Sequence, residues 1–168
     1  MKILVAYASK HGSTAEIATA VAEEIRRVGV EADLVEAGAV QDLAPYAGVV
    51  LGSAVYMKRW RPSARRLLGH LEGRLGDRPL WIFSSGPVGD AEFDPDWCEP
   101  AHVLARAQRL NLRDHVIFGG RVPQDPGNFV ERAMLRNTPP DQHDKRDFDA
   151  IRSWAREVAD AFVPATVP

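Results

Sequence analysis

The residues best equipped for chemistry lie close together near the start of the chain, as Ser9, Lys10, His11, Gly12, Ser13 and Thr14. Hydroxyls and main-chain N–H groups donate hydrogen bonds to an anion. Lys10 adds charge, and Gly12 lets the backbone approach closely. The set follows a short apolar run, "KILVAYA", and precedes a segment of helical periodicity. A helix starting at Ser13 or Thr14 presents unpaired N–H groups and the positive end of its dipole to that same point. The stretch therefore reads as a seat for a phosphate. It is not G-x-x-x-x-G-K-[ST], so a nucleoside-triphosphate loop is disfavoured, and it is not G-x-G-x-x-G, so a dinucleotide fingerprint is absent. One glycine among several hydroxyls suits a terminal monophosphate. A plain N-cap at Ser13 is the competing reading.

The rest of the chain supplies elements to hold this seat. Lys2 to Ala8 is a nearly continuous apolar run, as expected of a strand buried on both faces. From Ser13 to Val28, Ile17, Val21, Ile25 and Val28 recur at helical spacing, and Gly29 ends the helix. Strands are expected at Glu31 to Ala37, Gly48 to Ser53, Leu80 to Ser85 and His115 to Gly120. The second alternates and so reads as nearer an edge. Helices are expected from Pro62 through Leu71, from Trp97 to Leu110, around Phe129 to Leu135, and from Asp147 to Phe162. Strands separated by helices require crossover connections, hence a parallel sheet with helices on both faces. In such sheets a ligand sits outside the carboxyl ends of the strands, where the winding reverses.

Bulk properties narrow the classes. The chain has 168 residues, enough for one domain, with 45% hydrophobic and 26% charged residues and a net charge of −2. That balance argues against a nucleic-acid binder. No apolar run approaches the ~20 residues of a membrane-spanning helix, and "MKILVAYASK" turns polar too soon for a signal peptide. A single cysteine, Cys98, excludes an internal disulfide framework and makes a thiol redox role improbable. A reducing cytoplasm is the expected home. His70, His102, His115 and His143 lack the spacing of a metal site, so no metal is expected.

"SKHGST" resembles the phosphate loop of the flavodoxin family, in which hydroxyl residues and a glycine after the first strand hold the phosphate of FMN. The resemblance implies an α/β, flavodoxin-like, doubly wound five-stranded parallel sheet of order 2-1-3-4-5, forming one domain over residues 1–163 with a frayed tail at 164–168. It implies FMN contacts at Ser9, Gly12, Ser13 and Thr14; Lys10 joins them for its charge, and His11 stands where flavodoxins usually carry threonine, its ring N–H replacing that donor. Two further loops would clasp the flavin ring. Ser53, Ala54, Val55 and Tyr56 belong to the first, with Tyr56 the best candidate for stacking. Ser85, Gly86, Pro87 and Val88 belong to the second and would line the pyrimidine side. Trp60, Phe93 and Trp97 read as core rather than as flavin contacts.

Carrier flavodoxins are typically acidic, whereas this chain places Lys58, Arg59, Arg61, Arg65, Arg66 and Arg74 against Glu72 alone between Met57 and Arg74. A solvated helix face would explain most of these cations. Lys58 and Arg59, however, stand where a substrate would approach the flavin, which favours an anionic partner. The layout of "GSAVYMKRWRPSARRLLGHL", "FGGRVPQDPGNFVERAMLRN" and "FDAIRSWAREVADAF" is similar to the menaquinone-dependent protoporphyrinogen dehydrogenases. That resemblance implies an FMN-dependent oxidoreductase passing electrons from a tetrapyrrole to a quinone, with Lys58 and Arg59 binding substrate. No acid–base residue is assigned as catalytic, because the chemistry would be the flavin's. The alternative is an electron carrier serving a redox partner protein. A receiver-like regulator ranks low, since the first and third strands end at Ser9 and Ser53 rather than in acids. Homodimerisation and peripheral membrane contact through the basic stripe are left open.

Overall fold

A computed structural model describes residues 1–86 and 100–163. Pro87, Val88, Phe93, Trp97, Cys98 and the tail 164–168, each assigned a role or state above, lie outside the described residues. The elements run β1 (Lys2–Ala8), α1 (Ser13–Arg27), β2 (Glu31–Glu36), β3 (Gly48–Tyr56), β4 (Arg59–Trp60), α2 (Pro62–Leu71), β5 (Leu80–Ser85), α3 (Ala101–Ala107), β6 (Leu112–Phe118), α4 (Phe129–Asn137) and α5 (Phe148–Asp160).

The sheet order is β2-β1-β3-β5-β6 with every neighbouring pair parallel, and β4 pairs antiparallel with the end of β3. Counting the parallel strands alone, this is the expected 2-1-3-4-5 winding. Central strands are buried on both faces, which explains their unbroken apolar runs. Ile3, Val5, Val50 and Phe83 pack toward α1 and α5, and the alternate residues Leu4, Ala6, Leu51 and Ile82 pack toward α2 and α3. Helices thus cover both faces.

Among the strands, three differ from expectation at their ends. The third strand runs on from Ser53 to Tyr56 because β4 folds back on it as a hairpin, so residues read as a loop are strand. The last strand starts at Leu112 and ends at Phe118, rather than spanning His115 to Gly120. Arg113 and Asp114 disguise its start, and the Trp154 indole of α5 donates to Asp114 Oδ2 at 2.8 Å. The second strand ends at Glu36, because Glu36 caps a 3₁₀ turn through Gly38 N.

The α1–α5 contact carries a buried carboxylate. Glu24 accepts from Arg27 Nε at 2.9 Å and from Arg156 at 2.7 Å. The Arg27 hydrogen bond, opposed by burial and aided by Arg156, lowers its acid to about 2. Residues 121–147, past the last strand, are tied down at α1 by another network. Arg146 pairs with Asp144 at 2.6 Å and Glu16 at 2.5 Å, and Arg121 reaches the same Glu16 at 2.9 Å. Gly119 is needed there, since a Cβ would lie 2.0 Å from Lys145 O.

Candidate functional site

The expected phosphate seat lies between β1 and α1, at the carboxyl end of the central strands. Gly12 caps α1 at φ 86°, a left-handed conformation that favours glycine. No side chain caps the helix, so its first N–H groups are available to an incoming anion. Ser9 Oγ accepts from Gly12 N at 3.0 Å, which sets the turn. Thr14 is buried. Ser13 Oγ is buried without a hydrogen-bond partner in the protein. A buried hydroxyl is ordinarily satisfied, and this one is not. A cavity of about 230 Å³ adjoins the loop, lined by His11, Ser13, Arg121, Pro123, Gln124 and Asp125.

Lys10 and His11 both turn to the same acid. The Lys10 ammonium is bonded to Glu131 Oε1, and His11 Nε2 is 2.8 Å from the same oxygen. Glu131 belongs to α4 and is only 1% exposed. Its other oxygen accepts from Gly127 N at 2.7 Å. Burial pushes the carboxyl up, but the bonds from Lys10, His11 and Gly127 outweigh it and bring the acid to about 2. Glu131 is therefore an ionised, buried carboxylate held against the phosphate loop.

The loop after β3 is built as a hairpin. Met57 and Lys58 form its turn at φ 48° and 61°, the positive values that suit a two-residue hairpin but strain side-chain-bearing residues. Tyr56 sits at the strand end with the Lys10 ammonium 4.9 Å from its ring centroid and its hydroxyl 3.5 Å from Glu131. Burial, then the Glu131 charge, raise the phenol to about 12, with Arg61 opposing. Tyr56 is thus neutral and only partly buried, as a stacking surface requires.

Other residues expected at the ring are more enclosed. Ser53 is fully buried, and its Oγ donates to Ala54 O and accepts from Arg61 N at 2.9 Å each. Its side chain fastens the hairpin, which leaves only its main chain to face a ligand. Ala54 and Ser85 are buried, while Val55 and Gly86 are partly exposed. Gly86 donates its N–H to Phe118 O. Trp60 is core, as its surroundings in sequence implied, and its indole donates to Ser84 Oγ at 2.8 Å. Lys58 and Arg59 are exposed at the tip, beside Tyr56. Among the described residues no group of His, Cys, Asp and Glu is arranged to hold a metal, and no helix is long and apolar enough to cross a membrane.

A parallel doubly wound sheet with an amide-and-hydroxyl phosphate loop and an aromatic at the neighbouring strand end defines a nucleotide-binding redox domain of the flavin type. Residues 4–149 match the Flavodoxin domain family, and the chain belongs to it. The cofactor is FMN, and the orphan Ser13 hydroxyl, the uncapped helix start and the left-handed Gly12 fit its phosphate. The fold is similar to that of oxidised Flavodoxin 2 from Bacillus cereus, at 20% identity and TM-score 0.68 over 96% of this chain and 100% of that one. Flavodoxin 1 from Bacillus cereus matches at 16% identity and TM-score 0.64, covering 95% and 98%. The Flv1 flavodiiron core from Synechocystis matches at 16% identity and TM-score 0.65, covering 96% of this chain and 36% of that one. Among curated proteins none matches the chain.

Proposed function

We propose that this flavodoxin-family chain is an FMN-dependent oxidoreductase that turns over a small anionic substrate, rather than only a carrier. The observation that carries the reading is the Met57–Lys58 turn. It is held in a strained conformation and presents Lys58 and Arg59 at the rim beside Tyr56. Strain of this kind persists where the surroundings over-determine it, and it clusters at functional sites.

In this reading Ser9, Ser13, Thr14 and the amides around Gly12 hold the phosphate. Tyr56 provides a flat wall, and Lys58 and Arg59 orient carboxylates of the substrate. FMN, when bound, supplies hydride or single-electron chemistry at its ring. The protein's part is to seat the cofactor, screen one face and attract the substrate. The finer candidate is oxidation of protoporphyrinogen IX with a quinone as acceptor, in keeping with the layout described above and the propionates of that substrate. The site would belong to one domain spanning residues 1–163, working in the cytoplasm.

The test is turnover with FMN-loaded protein, protoporphyrinogen and a menaquinone analogue. Porphyrin fluorescence rising well above autoxidation, and falling in Lys58→Glu/Arg59→Glu, is the expected result. A rate equal to autoxidation would refute the tetrapyrrole assignment. The second reading, an electron carrier, is favoured by the near end-to-end match to Bacillus cereus flavodoxins. It predicts reduction by a reductase partner without turnover of either small molecule.

A further inference from the structure

The sequence pattern assigns Glu131 no role, yet its carboxylate is the most heavily bonded acid near the site. Oε1 takes the Lys10 ammonium and His11 Nε2, with the Tyr56 hydroxyl at 3.5 Å. Oε2 takes Gly127 N, and the Glu131 main-chain N–H donates to the Asn128 side chain at 2.9 Å. The residue is enclosed, so water screens these contacts little. Lys10 and His11 are therefore already paired with a protein carboxylate beside the loop. Ser13 Oγ, on the same loop, is left without any partner.

We propose that Glu131 is the resident counter-anion of the phosphate loop and sets its discrimination between phosphorylated and unphosphorylated flavin. It withholds Lys10 and His11 from the phosphate, so amides and hydroxyls alone read the phosphate. The inference rests on the FMN reading of the loop. Two anions, the Glu131 carboxylate and the phosphate monoester, compete for the same ammonium and imidazole. Removing the carboxylate's charge frees both donors for the ligand and removes a like-charge repulsion. Holding the donors back leaves the seat near neutral and keeps its cations from binding unrelated anions, a form of specificity by charge balance.

The test compares dissociation constants for FMN and riboflavin in the full chain, by flavin fluorescence titration at several salt concentrations. Glu131→Gln keeps an acceptor for Gly127 N and loses the charge. The expected result is a rise of about fivefold to tenfold in the ratio of riboflavin to FMN dissociation constants, the scale of one charge-assisted hydrogen bond gained. The variant's FMN affinity is also expected to fall more steeply with salt than that of the wild type. Adding Lys10→Met to Glu131→Gln should cancel most of the gain, which a merely structural Glu131 would not produce. An unchanged or lowered ratio in Glu131→Gln overturns the proposal. If Glu131→Gln fails to fold, Lys10→Met alone decides. A change in the ratio below about threefold supports withheld cations, and a loss of tenfold or more shows that Lys10 already serves the phosphate. Wild-type protein that binds riboflavin as tightly as FMN would instead overturn the phosphate reading itself.

Discussion

Ser13→Ala separates what the loop does for the fold from what it does for the cofactor. The Ser13 hydroxyl is buried with no partner in the protein. A buried unsatisfied polar group costs about 1–3 kcal/mol. Deleting the hydroxyl is therefore expected to stabilise the apoprotein by about 1 kcal/mol. For a chain of this size that raises Tm by about 2–4 °C. The same deletion removes a hydrogen bond to a charged ligand, a contribution of about 1.5–3 kcal/mol. FMN affinity should fall by about tenfold or more, while riboflavin affinity stays within roughly twofold. Differential scanning fluorimetry of flavin-free protein and titration calorimetry with both flavins read the two effects separately. The opposite signs are the signature. A lower apoprotein Tm, or equal losses for FMN and riboflavin, would refute the assignment of this hydroxyl to the phosphate.

Gly52→Ala should lower the chemical-denaturation midpoint, since its Cβ would lie 1.9 Å from the Phe83 ring, an overpacking worth about 1–3 kcal/mol or more. Arg146→Met removes the contacts to Asp144 and Glu16, and limited proteolysis within residues 121–147 should accelerate while the sheet stays folded. The acids of Glu24 and Glu131 both lie at about 2, below the ordinary 4.5, so the folded state binds these protons less readily than the unfolded chain. Their stabilisation is present above pH 4.5 and drains as the pH falls toward 2. Denaturation midpoints measured across that range should fall, and Glu131→Gln should flatten the decline.

The parallel strands were legible because burial on both faces writes itself as continuous apolar sequence, as in "LWIFSS". The helices were legible because their buried residues recur at helical spacing, as Ile17, Val21 and Ile25 do. The errors fall where tertiary pairing overrides local pattern. Nothing local marks Val55 and Tyr56 as strand until β4 folds against them, and that hairpin turn uses Met57 and Lys58 in place of the Asn-Gly pair that would have announced it. Arg113 and Asp114 read as loop although they begin β6, because the partner of Asp114 is Trp154, forty residues away in sequence.

The loop from Ser9 to Thr14 was legible as a candidate seat because its residues are contiguous in sequence. Glu131 was not, because its partners lie far from it in sequence. Asn128 followed three positions later by glutamate is the pattern of a helix N-terminal capping box, and Asn128 does accept from Glu131 N. Its carboxylate nevertheless crosses more than a hundred residues of sequence to Lys10 and His11. The available signal lay in the loop rather than in α4. Lys10 and His11 stand side by side with no acid nearer than Glu16 in the sequence, and groups packed that tightly beside a partly enclosed anion seat need a counter-charge from elsewhere in the fold. Of the acids in the segment after the last strand, only Glu131 follows two apolar residues, Phe129 and Val130, on a short helix. Those two remain exposed while the acid between them and Arg132 is buried, an inversion of the usual pattern that hydrophobicity alone would not produce. The start of this helix is therefore anchored by its charge, with Glu131 reaching the loop between β1 and α1 beside the Arg121 and Arg146 contacts to Glu16.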